Sequence, residues 1–242
     1  MKAGKASATA LDEQWQQYLA KIGARGEANG SERKQSRSRR KEQEIRRAAL
    51  RVFARDGISR ARIQDVAAEA GLPVSTLYEY CSGKEELAYQ VPASTFAAFF
   101  DEYIAAVGSA STARERLRLY LVLAADFARR NPEWARLLYL EIWPSVFVGE
   151  SPLQQLIDDY VRIILYLIRD GERRGEWRAG PDPYETAAIL NGSVNQVIIT
   201  ALLYRRPRNL TKAAESIVDR AMTLLQPPAS KPPTRLRGTA KG

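Results

Sequence analysis

The chain has 242 residues, 45% of them hydrophobic, with a formal net charge of +9, one cysteine and no histidine. That length and apolar content suit a small domain beside a larger one. An intrachain disulfide framework, Cys/His zinc sites, imidazole acid–base catalysis and Ser-His-Asp triads are excluded, and no metal or cofactor is expected. Met1–Arg62 holds 16 Lys+Arg against 7 Asp+Glu, whereas Ile63–Gly242 holds 21 of each, so the whole excess of +9 lies in the N-terminal quarter. Such asymmetry suits a polyanion through counterion release, nucleic acid before an anionic membrane surface. No signal-peptide core follows Met1, and apolar runs such as Ile163 to Ile168 are too short to span a bilayer, so a cytoplasmic protein without a membrane partner is expected.

Residues 1–37 read as a flexible basic N-terminal extension. Leu11, Trp15, Tyr18, Leu19 and Ile22 recur at helical spacing, as a docking element or a silent extension, and the stretch from Gly23 to Arg40 has almost nothing to bury. The run from Arg33 to Lys41 is either a solvated linker or an arm that follows a nucleic-acid backbone. Residues 38–87 form a first domain, 88–226 a second, and 227–242 a disordered tail rich in Pro, Lys, Arg and Gly.

Helix 1 is marked by Ile45, Ala48, Ala49, Val52 and Phe53 on one face and ends at Gly57. Ile63, Val66, Ala67 and Ala70 form a second short stripe closed by Gly71, the residue type best able to take a left-handed exit. The next helix runs through Ser75, Thr76, Leu77, Tyr78 and Tyr80. Leu77 is its inward anchor, and Ser75, Thr76, Tyr78 and Glu79 are left to face outward. Two helices joined by a glycine turn, the second exposing hydroxyls, make a helix-turn-helix over about 61–80.

Helix-start signals follow. Ser82-Gly-Lys-Glu85 and Thr112-Ala-Arg-Glu115 fit the capping box, and Ser151-Pro-Leu-Gln154, Asp182-Pro-Tyr-Glu185 and Asn131-Pro132 add proline at the first helical position. Helices are predicted at 83–107, 113–130, 132–143, 152–175, 183–205 and 210–226. Leu156, Ile157, Tyr160, Val161, Ile164, Leu167 and Ile168 stripe one of them, and Ala214, Ile217, Val218, Ala221, Leu224 and Leu225 the last. No strand is expected. The fold class is all-α, an N-terminal three-helix domain that carries the helix-turn-helix followed by a larger helical domain.

Ile45 to Leu87 resembles the N-terminal DNA-binding domain of the tetracycline-repressor-like (TetR) family of bacterial regulators. The matching residues are Ala48-Ala49 with Phe53 and Gly57, Val66-Ala67 with Ala70-Gly71, and Thr76-Leu77-Tyr78 with Lys84-Glu85-Glu86-Leu87. The later helices resemble the family's ligand-binding and dimerisation domain in number and order only.

The resemblance implies phosphate contacts for Tyr78 and Lys84 and a place near the base-reading surface for Thr76. A phenol and an ammonium suit such contacts chemically; half-buried packing is the other reading of Tyr78. Tyr80 completes the expected DNA-binding set with Arg62, Val74 and Ser75, which depart from the pattern. Ala61-Arg62 stands where the family has a threonine, exchanging a cap for a cation. Pro73-Val74-Ser75 replaces a Ser-Lys-Gly run, and Val74 is expected against a thymine methyl. Cys81 stands where Phe is common, as a small buried filler.

A lone reading unit makes few base contacts, so a homodimer on a palindromic site is expected. Ala187, Ala188, Asn191, Gly192 and Asn195 with the last helix either build that dimer or close the monomer core. The resemblance implies a repressor released by a small apolar or amphipathic effector. Tyr120, Trp134, Tyr139, Trp143, Asn191 and Asn195 are pocket candidates, although aromatics at helical spacing are more often core. The alternative is a ligand-independent or architectural DNA-binding protein. No enzyme is expected: the chain has no phosphate loop and no nucleophile beside a base, and the members of Asp158-Asp159 and Glu85-Glu86 face different directions on a helix.

Overall fold

The computed structural model describes residues 34–107, 110–144, 153–178, 180 and 182–225. The expected helix near Leu11, the linker up to residue 33, Ser151 and the tail from 227 lie outside the described residues. Described residues in regular structure are helical, and none is in a strand.

The reading unit is α1 (Lys34–Asp56), α2 (Ile63–Ala70) and α3 (Val74–Tyr78). Helix α1 begins inside the stretch expected to be linker. Residues 38–41 are exposed and the first turns carry no apolar period, but they lack Gly and Pro and gain Arg40–Glu44 and Arg46–Glu42 pairs at i,i+4. Ile45, Ala48, Ala49, Val52 and Phe53 are buried as their spacing predicts, against α2 and the next helix, α4 (Lys84–Val107). Gly57 at φ 76° and Gly71 at φ 66° end α1 and α2 in the left-handed region.

Helix α4 runs unbroken from the reading unit into the second domain, so the boundary expected between residues 87 and 88 falls within it. The second domain adds α5 (Ala113–Arg130), α6 (Pro132–Arg136), a π-helical segment (Leu137–Ile142), α7 (Leu153–Arg173), α8 (Pro183–Tyr204) and α9 (Leu210–Ala221), with a 3-10 turn at Met222–Leu224. Four of these starts fall where the capping signals of the sequence predict them. Thr112 accepts from the Glu115 N–H at 3.0 Å, and Asp182 from the Tyr184 and Glu185 N–H groups at 2.6 and 3.3 Å. Two details differ. Ser82 pairs with Glu86 rather than Glu85, and the Asn131 amide donates back to the Phe127 carbonyl instead of capping α6.

The expected α-helix over 132–143 widens into the π segment after Arg136, where the Trp143 N–H reaches the Leu138 carbonyl at 2.8 Å. Leu137, Leu138 and Tyr139 are consecutive and all buried, and the segment touches α1, α4 and α8 together. Three inward residues in a row spread too far around an α-helix to share one narrow face, which favours a locally altered turn. Trp177 plugs the far end of the bundle, its indole N–H on the Ile168 carbonyl at 3.1 Å. A Cβ at Gly171 would meet its ring at 2.0 Å, so only glycine admits it.

Candidate nucleic-acid interface

Helix α3 carries most of the residues that the sequence assigns to base reading. Leu77 is fully buried and fixes its rotation, Ser75 is exposed and Thr76 half-exposed. Tyr78 is 55% exposed, which removes the packing reading of its ring. Val74 is half-buried against the core, so a thymine contact is open only to its outer face. Tyr80 lies beyond the end of α3 and packs partly on the core, its hydroxyl 3.4 Å from that of Ser38 on α1. The helix thus ends before Tyr80, shorter than its residue pattern predicts.

Arg62 occupies the N-cap position of α2. Its guanidinium bonds Asp65 at 3.1 and 3.3 Å, while Asp65 also accepts from the Arg62 N–H at 3.0 Å. An arginine side chain has no acceptor, so only the returning half of a capping box exists. The Arg62 hydrogen bond holds the Asp65 carboxyl below the usual carboxylate range. The Arg62 side chain stays 74% exposed, so its charge remains accessible to a polyanion.

Lys84 is engaged elsewhere. Its ammonium donates to the carbonyls of Ile58, Ser59 and Ala61 at 3.0, 3.1 and 3.0 Å, which uses every proton it has. In this conformation Lys84 pins the turn between α1 and α2 to the start of α4. The same residue lines a cavity of about 240 Å³ between the reading unit and the second domain, with Ile58, Ser59, Tyr89, Glu141 and Ile142. A Cβ at Gly57 would lie 3.4 Å from the Glu141 carboxylate, so the π segment abuts that turn. This contact was invisible in the sequence, because nothing local marks Glu141 as a neighbour of Gly57.

Cys81 is buried with its thiol on the Leu77 carbonyl at 3.4 Å, and burial pushes its pKa up, which fits a packing role.

The pocket candidates divide. Tyr120, Trp134 and Tyr139 are buried in a cluster of rings, Trp143 is 37% exposed at its edge, and Asn191 and Asn195 are half-buried on α8. The Tyr120 hydroxyl donates to the Tyr160 carbonyl at 3.3 Å, and the Trp134 indole to the Pro92 carbonyl at 3.2 Å. Asn191 Oδ1 is buried without a partner among the described residues.

By length and composition alone, α8 is long and apolar enough to cross a membrane, which the short apolar runs of the sequence do not suggest. Tyr184, Ala188, Ile189, Gly192, Leu203 and Tyr204 are exposed on it, whereas Ala187 turns inward. The small-residue face expected on this helix is therefore split between surface and core.

Residues 45–91 match the profile of the bacterial regulatory proteins, tetR family. The chain is 20% identical over 172 residues to the fatty acid metabolism regulator protein of Bacillus subtilis (strain 168), covering 71% of this chain and 89% of that one. The structure resembles that of the B. subtilis transcriptional regulator FadR in complex with stearoyl-CoA, with a TM-score of 0.69 and 20% identity over 74% of this chain and 96% of that one. It also resembles SmeT, the repressor of a Stenotrophomonas maltophilia multidrug efflux pump, with a TM-score of 0.63 and 16% identity over 79% and 95% of the two chains. The similarity to the bacterial regulatory proteins of the tetR family thus covers the helix-turn-helix and the start of α4.

Proposed function

We propose that the chain is a non-enzymatic, homodimeric transcriptional repressor that binds a palindromic operator through α3 and is released by an amphipathic organic effector. The reading rests above all on α3. Leu77 anchors this helix within the tetR-matched segment, Ser75 and Tyr78 stay exposed, and the charge of Arg62 is accessible. Tyr78 and Arg62 then hold phosphates, and Ser75, Thr76 and Val74 face base edges.

Two copies are needed for a useful site size, and the exposed apolar stripe of α8 beside α9 is the surface that a second copy would cover. For the effector, the ring-lined interior of the second domain favours an apolar chain. Long-chain acyl thioesters come first, because the relative bound to stearoyl-CoA shares this fold over nearly its whole length.

Footprinting with the purified protein is expected to protect a palindrome of two half-sites, and stearoyl-CoA to release it. Uniform coating of DNA with no preferred site would overturn the reading in favour of an architectural protein.

A further inference from the structure

Buried polar groups in well-packed proteins are hydrogen-bonded, and an exception in a ligand-binding domain calls for a partner. The Tyr160 hydroxyl on α7 is such an exception. It is buried, and no described residue bonds it. Its ring stands among others at centroid distances of 5.1 Å to Tyr120, 5.8 Å to Phe96 and 5.9 Å to Phe99. The neighbouring polar aromatics Tyr120 and Trp134 have already found backbone carbonyls.

The cluster continues from Phe96 to Trp134 at 5.8 Å and from Trp134 to Tyr139 at 6.4 Å. Tyr139 in turn stacks at 6.1 Å on Trp143, which is 37% exposed, so the rings lead from the Tyr160 hydroxyl to the surface. Burial, with the Tyr139 phenol second, pushes the Tyr160 pKa well up, which keeps its proton in place as a donor.

We infer that the Tyr160 hydroxyl donates a hydrogen bond to an uncharged carbonyl oxygen of the effector, that of a thioester, ester or ketone, whose alkyl chain lies among these rings. The inference rests on the proposed effector-responsive reading and specifies its ligand. A free carboxylate is disfavoured here, because a charge carried among rings needs a paired cation. Arg116 is the one buried cation among the described residues, and it faces Asp170 at 3.8 Å.

The test uses the full chain and three probes: stearoyl-CoA, its octadecyl thioether analogue lacking the carbonyl, and stearate. Stearoyl-CoA is expected to bind about tenfold more tightly than the thioether, the worth of one hydrogen bond, and stearate more weakly than stearoyl-CoA. Tyr160→Phe is expected to bind thioester and thioether equally. Without ligand, that variant should melt at or above the wild-type temperature, since it removes an unbonded group.

Equal wild-type affinity for thioester and thioether overturns the inference, as does discrimination that survives in Tyr160→Phe. A lower melting temperature for the variant also overturns it, by showing that the hydroxyl is already bonded. If no probe binds, the inference falls together with the acyl effector, while operator footprinting judges the regulator reading separately.

Discussion

At the scale of single residues, Lys84 has two roles to choose between. The family resemblance makes it a phosphate ligand, whereas the geometry commits its ammonium to the carbonyls of residues 58, 59 and 61. Lys84→Met separates the two. The geometric role predicts a loss of about 1.5–3 kcal/mol in urea unfolding, typical of hydrogen bonds to a charged group, with an unchanged salt slope of operator binding. A phosphate role predicts little loss of stability and a slope smaller by about 0.9. Tyr78 carries no such ambiguity, because its exposed phenol has little packing to lose.

At the scale of elements, the helices behind the reading unit are tied by charge as well as by apolar stripes. Asp126 on α5 accepts from Arg129 and Arg130 on its own helix and from the Thr211 hydroxyl on α9 at 2.8 Å, while Arg130 also reaches Glu102 on α4. Burial pushes the Asp126 pKa up, but the hydrogen bonds from Arg130, Thr211 and Arg129 outweigh it and hold the carboxyl below its ordinary value of 3.8. A depressed carboxyl contributes its full stability above that ordinary value and loses it as the pH falls through the lower folded value. Thermal melts should therefore show Asp126→Asn destabilised at neutral pH, with the gap to wild type closing below pH 3.8. A gap that persists in acid would assign the effect to packing.

At the scale of the whole molecule, α8 leaves apolar side chains on the surface. Leu203 and Tyr204 are 54% and 71% exposed, and a surface of this kind is covered by a partner or aggregates. With a second copy as the partner, Leu203→Glu buries a charge in the interface. Sedimentation should then show monomers and footprinting a loss of the palindrome, while the helical content is kept. A variant that stays dimeric on an intact footprint would move the interface elsewhere and leave α8 for another occupant.

The helical class, most helix starts and the helix-turn-helix are legible in the amino-acid order. These follow from signals carried within a few residues: the Gly71 exit, the Thr112 and Asp182 caps and the stripe from Ile45 to Phe53. What each side chain meets depends on the packing of distant helices. That packing sent the Lys84 ammonium to a turn some 25 residues away, widened Leu137–Ile142 into a π segment and left Ile189 outside while Ala187 went inside. It also enclosed the Tyr160 hydroxyl without a partner. Caps and periodicity are properties of neighbours along the chain, whereas hydrogen-bond partners and exposure depend on which distant helix comes to lie opposite.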